Sequence, residues 1–442
     1  MNCVDAVAAK DGMQLVFVQT MWRHGDRSPT KTWPNDAVKE SDWIWGGQGL
    51  GQLTPRGMRQ HLNLGMKLRN RYIDSNGTFP GFLPPSYRSD KMYIRSTDIN
   101  RTLISAYSNM IGMYGQPNYG NQGQVDYPNA TDGWPSGFVP VPIHTLDDDT
   151  DFLLNTDVYC PLRDKWWDLA KQSLEVMNFT NSPNVSTMLT NLTGWTGLNM
   201  TLDNLYIPAQ GLFIEKIYFP ERVYNYSWYT DDIFNQIDAM NDQVDLYQNG
   251  VFDQPNMLNG VDIGLQLKKL RAGAFVNEIS SRMQDKIRCN GTTDPSCNWI
   301  NNLNMYIYSA HDTTLYAFFS AIGVEEYAVK PKGSYPQYSA CALIELYQNT
   351  SSKDYAFKLI YHKNENTTFD DETTGIPGCE NATLGYCPVS VFQTIAARVK
   401  PDQPIDTWCF SDTPGFSSTS TGLFMAFTYV TLACLLGSFR FI

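Results

Sequence analysis

The sequence predicts an α/β fold with a smaller helical domain inserted into it. Three apolar, β-rich runs each stop on a polar loop carrying reactive side chains, and helical patterns separate them. The first run, Leu15-Val16-Phe17-Val18-Gln19-Thr20-Met21-Trp22, has the composition of a buried strand. It ends at Arg23-His24-Gly25-Asp26-Arg27-Ser28-Pro29, where Gly25 lets the backbone turn and Pro29 bars a helix before it. Thr54-Pro55 marks a helix start, with Met58, Leu62 and Met66 spaced along one face. Met92 to Asp98 forms a second short strand that closes on Arg95, and Asp98 to Leu103 opens a helix with Leu103, Tyr107 and Ile111 at helical spacing. The Gly/Asn/Pro-rich stretch from Gly115 to Trp134 is expected to be a surface loop.

Residues 145–250 hold a cluster of Asn-x-Ser/Thr sequons and a helical pattern around Arg163 to Met177, and are expected to form a helical cap. An amphipathic helical stretch from Met257 to Cys289 returns the chain to the core. The third strand, Met305 to Ala310, runs into His311-Asp312-Thr313-Thr314, and Cys341 to Leu346 and Phe357 to His362 are expected to be neighbouring strands. The division that follows is a core at 1–144 and 251–412, a cap at 145–250, and a Ser/Thr linker with a hydrophobic anchor segment at 413–442.

Composition narrows the class. A chain of 442 residues with 42% hydrophobic and 18% charged residues is globular, not disordered. Its net charge of −12 argues against nucleic-acid binding. Sequons begin at Asn76, Asn100, Asn129, Asn178, Asn184, Asn191, Asn199, Asn225, Asn290, Asn349, Asn366 and Asn381. Together with nine cysteines they point to the secretory pathway and the cell surface, with lysosomal or secreted forms as alternatives. Asn100 is the sequon least suited to a glycan, because it sits in the first turn after the Arg95 strand. Cys289/Cys297 and Cys379/Cys387 flank short loops and are expected to bridge locally. The first residues lack an apolar signal core, so a signal-bearing start is expected upstream. Leu423 to Leu436 is almost wholly apolar and suits a lipid-anchor signal, with a short membrane span as the competitor.

The first strand end carries the chemistry. A histidine between Arg23 and Arg27, whose planar forks match phosphate oxygens, is built to attack phosphorus. The run from Arg23 to Pro29 resembles the signature of the histidine phosphatase superfamily, in its acid phosphatase branch. The resemblance extends over roughly residues 13 to 410, through Thr32-Trp33-Pro34, Lys39-Glu40-Ser41, Gly51-Gln52-Leu53-Thr54 and Phe275-Val276-Asn277-Glu278.

That resemblance implies a three-layer αβα core with a mixed, mostly parallel sheet and an inserted α-helical cap. It implies hydrolysis of phosphate monoesters through a phosphohistidine on His24. Arg23, Arg27 and Arg95 clamp the phosphoryl oxygens, His311 donates a further hydrogen bond, and Asp312 protonates the leaving group. No metal or cofactor is expected, since the arginines supply the positive charge. The family pattern also joins Cys160 to Cys409 and suggests a homodimer. Cys341 departs from it, since its usual partner would fall near Tyr224-Asn225 where no cysteine stands, and is expected to be a buried free thiol. A phytase-like enzyme is the alternative, although that branch carries His-Ala-Glu where this chain has His311-Asp312. A non-catalytic surface glycoprotein with the same fold is the other. Of the remaining histidines, His61 is expected on a helix surface, His362 at a strand end, and His144 at the start of the cap, as a candidate to line the cleft. Asp26 is expected to stabilise the signature turn.

Overall fold

The computed structural model describes residues 10–115, 124–128, 130–328 and 335–412. The anchor segment, most of the Gly115–Trp134 loop's first half and the Asn129 sequon lie outside them. No helix among the described residues is long and apolar enough to cross a membrane.

An eight-stranded mixed sheet forms the middle layer. Its strands are β1 (Met13–Arg23), β2 (Met92–Thr97), β3 (His144–Leu146), β4 (Met305–Ala310), β5 (Cys341–Asn349) and β6 (Tyr355–His362), with two-residue strands β7 (Asp370–Asp371) and β8 (Cys387–Pro388) at one side. The order is β8-β6-β5-β1-β4-β2-β3, with β7 also paired to β6. β1, β4, β2 and β3 run parallel, and β5 and β6 extend the sheet antiparallel from β1. β1 reads as a continuous apolar run because both of its faces are covered. Phe17 and Met21 pack under Phe275, Ile279 and Leu315, whereas Leu15, Val18 and Trp22 pack under Leu64, Leu68 and Met110.

On the second face lie α1 (Pro55–Tyr72) and α2 (Asn100–Tyr114). Thr54 caps α1 through the Gly57 amide, with Pro55 at the first helical position as the sequence predicts. The buried faces differ from those read in the sequence. α1 buries Gly57, Gln60, His61, Leu64 and Leu68 and leaves Met66 exposed; α2 buries Thr102, Ser105, Ala106 and Asn109 and leaves Tyr107 exposed. The reason is steric. A Cβ on Gly65 would sit 2.0 Å from the Asn109 carbonyl oxygen, and one on Gly112 would sit 2.1 Å from that of Leu62. The helices therefore touch backbone to backbone along small residues, and Met66 and Tyr107 are left on the outer side.

The inserted block contains α3 (Pro161–Lys171), α4 (Leu174–Asn181), α5 (Pro183–Thr196), α6 (Tyr206–Tyr218) and α7 (Asp231–Gln248). These helices share a core of their own, into which the core-loop residue Trp33 inserts. The return to the sheet begins later than the sequence suggests. Met257–Leu258 and Val261–Asp262 form a small hairpin, and α8 (Ile263–Lys268) then passes through a π-helical turn, Lys269–Gly273, into α9 (Ala274–Cys289). α10 (Asp312–Ile322) follows β4 directly, and α11 (Val389–Arg398) packs on the same face. Disulfides join Cys160 to Cys409, Cys289 to Cys297 and Cys379 to Cys387, and Cys341 is a buried free thiol.

Candidate active site

The parallel strands β1, β2 and β4 end side by side, so the residues that follow them meet at one sheet edge. The His24 amide donates to the Ala310 carbonyl at 3.0 Å, which locks the two strand ends together. Beyond them the chain leaves a cleft of about 670 Å³ between sheet and helical block, lined by His24, Arg27, Arg101, His311 and Asp312 among others.

The signature loop is held from α1. A Cβ on Gly25 would lie 2.3 Å from the Gly57 carbonyl oxygen, so only glycine fits there. Gln60 accepts from the Asp26 amide at 2.8 Å, and His61 Nε2–H donates to the Arg23 carbonyl at 2.9 Å. His61 is thus fully buried, not a surface residue, and burial lowers its pKa to about 4. Asp26 accepts from the Thr54 hydroxyl at 2.6 Å and from the Tyr218 hydroxyl, fastening the turn to α1 and α6.

His24 Nδ1–H donates to the Gly25 carbonyl at 2.8 Å, which leaves the Nε2 lone pair free. Burial, then the positive charges of Arg101, Arg23 and Arg27, push its pKa well below the ordinary value. This favours the neutral imidazole with Nε2 unprotonated. The His311 ring lies 5.6 Å away, and its pKa is lowered to about 3 by burial and Arg101. His311 Nε2 bonds the Thr97 hydroxyl at 3.0 Å.

Arg27 donates from Nη2 to Gln210 of α6 at 2.9 Å, so the helical block contributes a contact to the cluster. Arg23 lies behind the cleft, its guanidinium 4.1 Å over the Tyr338 ring and its Nη2 2.8 Å from Asp312 Oδ2. Burial raises the Asp312 pKa, but Arg23 and Arg27 outweigh it and hold the carboxyl below its usual value. Asp312 is the first residue of α10, whose amino end favours negative charge.

A sequence model of the histidine phosphatase superfamily (branch 2) matches residues 14–362. The chain belongs to that family. "Putative acid phosphatase 10" of Caenorhabditis elegans is 32% identical, with 92% of this chain and 98% of that protein covered. Human prostatic acid phosphatase is 32% identical over 90% of this chain and 88% of its own length. Among solved structures, the apo phytase of Hafnia alvei superposes with a TM-score of 0.59 at 14% identity, covering 91% of this chain and 99% of that one; it speaks for the fold alone.

In this histidine phosphatase the arginine that reaches the cleft beside His311 from the end of β2 and the start of α2 is Arg101, not Arg95. Arg95 Nη2 is 2.5 Å from Asp151 Oδ1 in a buried ion pair, and Asp151 also accepts from the Leu153 and Leu154 amides. Arg95 is committed to holding that loop. Arg101, in the first turn of α2, reaches the cleft and places Nη2 3.4 Å from His311 Nδ1. Burial and the neighbouring Arg27 lower its own pKa to about 10, so it stays charged at any acid or neutral pH. The clue in the sequence was its place at a helix start immediately after a strand end. His144 does not line this cleft: it is exposed on β3 and stacks on Tyr93. His362 is buried at the end of β6.

Proposed function

We propose that this phosphoric monoester hydrolase is an acid phosphatase that works through a phosphohistidine on His24. The observation that carries the reading is a neutral, Nδ1-anchored histidine among arginines, with a carboxyl group on the adjoining helix start. His24 Nε2 attacks phosphorus as the ester P–O bond breaks, and the leaving oxygen takes a proton from Asp312. Water then attacks the phosphohistidine, Asp312 takes back a proton, and the N–P bond breaks to release phosphate. Arg27 and Arg101 meet the non-bridging oxygens, with Arg23 acting on Asp312 from behind. A bound phosphoryl group adds negative charge among these cations and raises the proton affinity of Asp312 and His311. Asp312 is then protonated for the first step, which favours turnover at acid pH, and His311 gains a donor toward the phosphoryl group.

The helical cap at 145–250, passage through the secretory pathway and attachment by the 423–436 run belong to the same proposal. Supporting it, the sequon asparagines Asn178, Asn184, Asn191, Asn199 and Asn225 are all exposed on the helical block. By contrast the hydroxyl of Thr102, which the Asn100 sequon needs, is buried and bonded to the Ile99 carbonyl. A homodimer has an exposed edge strand, β3, available to it.

Hydrolysis of an aryl phosphate across pH 4 to 8 tests the activity. The expected result is highest turnover on the acid side, unaffected by a metal chelator. A rate no better than that of the His24→Ala protein at every pH refutes it.

A further inference from the structure

Asp245 is buried and Arg271 partly buried; both line the cleft and take no part in the chemistry above. They come from different elements, α7 and the π-helical turn, and Asn249 joins them. Asn249 Nδ2 donates to the Asp245 carbonyl at 2.8 Å, while its Oδ1 accepts from Arg271 Nε at 3.1 Å. Asn241 Nδ2 donates to Asp245 Oδ2 at 2.7 Å. This leaves the two outer nitrogens of Arg271 without a hydrogen bond among the described residues; the nearest carboxylate oxygen, on the exposed Asp157, is 3.8 Å from Nη2. A π-turn commonly marks a functional position, and here it carries an arginine whose fork faces the cleft.

Tyr335 fixes which part of a substrate meets this wall. Its ring stacks on Tyr316, and its hydroxyl interacts electrostatically with Asp245, Asp312 and Arg271 together. The leaving-group oxygen must approach Asp312 to be protonated, so whatever is attached to that oxygen extends toward Tyr335, Asp245 and Arg271. The wall offers donors from Arg271, both donor and acceptor from Tyr335, and an acceptor from Asp245. Burial and the neighbouring Asp242 push the Asp245 pKa well above the usual carboxylate range, which favours the neutral acid and with it a further donor. Paired, mixed hydrogen bonds of this kind match neighbouring hydroxyl groups better than an alkyl chain.

We propose that Asp245, Arg271 and Tyr335 form a leaving-group subsite for polyhydroxylated phosphate monoesters, those of sugars and polyols. The proposal rests on the acid phosphatase reading and adds a substrate class to it. The test compares kcat/KM for glycerol 2-phosphate with that for isopropyl phosphate, which shares its carbon skeleton but lacks its hydroxyls. Comparing this ratio between proteins cancels the difference in intrinsic reactivity. Arg271→Met is expected to lower the ratio at least tenfold, and Tyr335→Phe, which deletes one hydroxyl and keeps the stacked ring, at least threefold. A merely structural role would reduce both rates alike. An unchanged ratio in Tyr335→Phe, together with an unchanged ratio or no folded protein for Arg271→Met, overturns the subsite. Failure of the unaltered enzyme on both esters and on aryl phosphates would instead refute the phosphatase reading.

Discussion

Arg95 and Arg101 offer a direct contrast between a residue that holds the scaffold and one that meets the substrate. Arg101→Lys keeps the charge but replaces a two-pronged planar donor by a compact ammonium. Arg101 makes no ion pair within hydrogen-bonding reach among the described residues and is crowded by Arg27 and Arg23, so its loss costs the fold little. Removing one preorganised donor to a transition state costs about 3 kcal/mol, roughly a hundredfold in rate. Arg95→Met does the reverse. It strands the Asp151 carboxylate, which is 0% exposed, and breaking such a buried pair costs about 3–5 kcal/mol of stability. The damage reaches the site only indirectly, because the Leu154 carbonyl beside Asp151 accepts from Thr314 of α10 at 2.7 Å. The assay is kcat/KM on an aryl phosphate at acid pH and low temperature, paired with a thermal melt. Arg101→Lys should lose about a hundredfold in kcat/KM with an unshifted melt, whereas Arg95→Met should melt several degrees lower and keep most of its turnover. A large loss of turnover in Arg95→Met at an unchanged melting temperature would show the assignment to be inverted.

Asp312→Asn should lose far more activity on alkyl than on aryl phosphates, since only the poorer leaving group needs its proton; equal losses in steady-state assays would remove Asp312 from that role. Glu215 is buried opposite Asp36 with neither oxygen meeting a donor, and burial and that carboxylate raise its pKa to about 9. The folded protein therefore keeps a proton that the unfolded chain releases near pH 4.5. Stability should fall as pH rises through that window, by at most about 1.4 kcal/mol per pH unit, and Glu215→Gln should flatten the slope in melts run from pH 5 to 9. Replacing Cys160 and Cys409 by alanine should destabilise the protein by about 2–5 kcal/mol in denaturant titrations, because their bridge closes a long loop; an unchanged midpoint would contradict this.

Much of the fold was legible because local pattern and tertiary role coincide. β1 is apolar on both faces, Thr54-Pro55 is a capped start, and the cysteines near residues 289 and 379 flank short loops. The helix faces were misread where packing demands small residues: Gly65 and Gly112 mark the true contact, and apolar spacing alone selects Met66 and Tyr107 instead. His61 and Gln60 look like surface residues until the signature loop supplies backbone groups for them to bind. The Arg95 assignment failed for a non-local reason. Its partner Asp151 lies on a distant loop, and no local feature of the Arg95 strand announces that the guanidinium is already paired. Arg23, His24, Arg27, His311 and Asp312 do converge, because the parallel neighbours β1 and β4 deliver them to one edge.

The central claim is that His24 carries the phosphoryl group. Rapid acid-free quenching of the enzyme mixed with a radiolabelled aryl phosphate, followed by peptide mapping under alkaline conditions, tests it most directly. The account predicts an acid-labile, alkali-stable phosphoramidate on the peptide containing His24, absent in His24→Ala and longer-lived in Asp312→Asn when the substrate is aryl. Label on His311, or turnover in His24→Ala matching the unaltered enzyme, would contradict it.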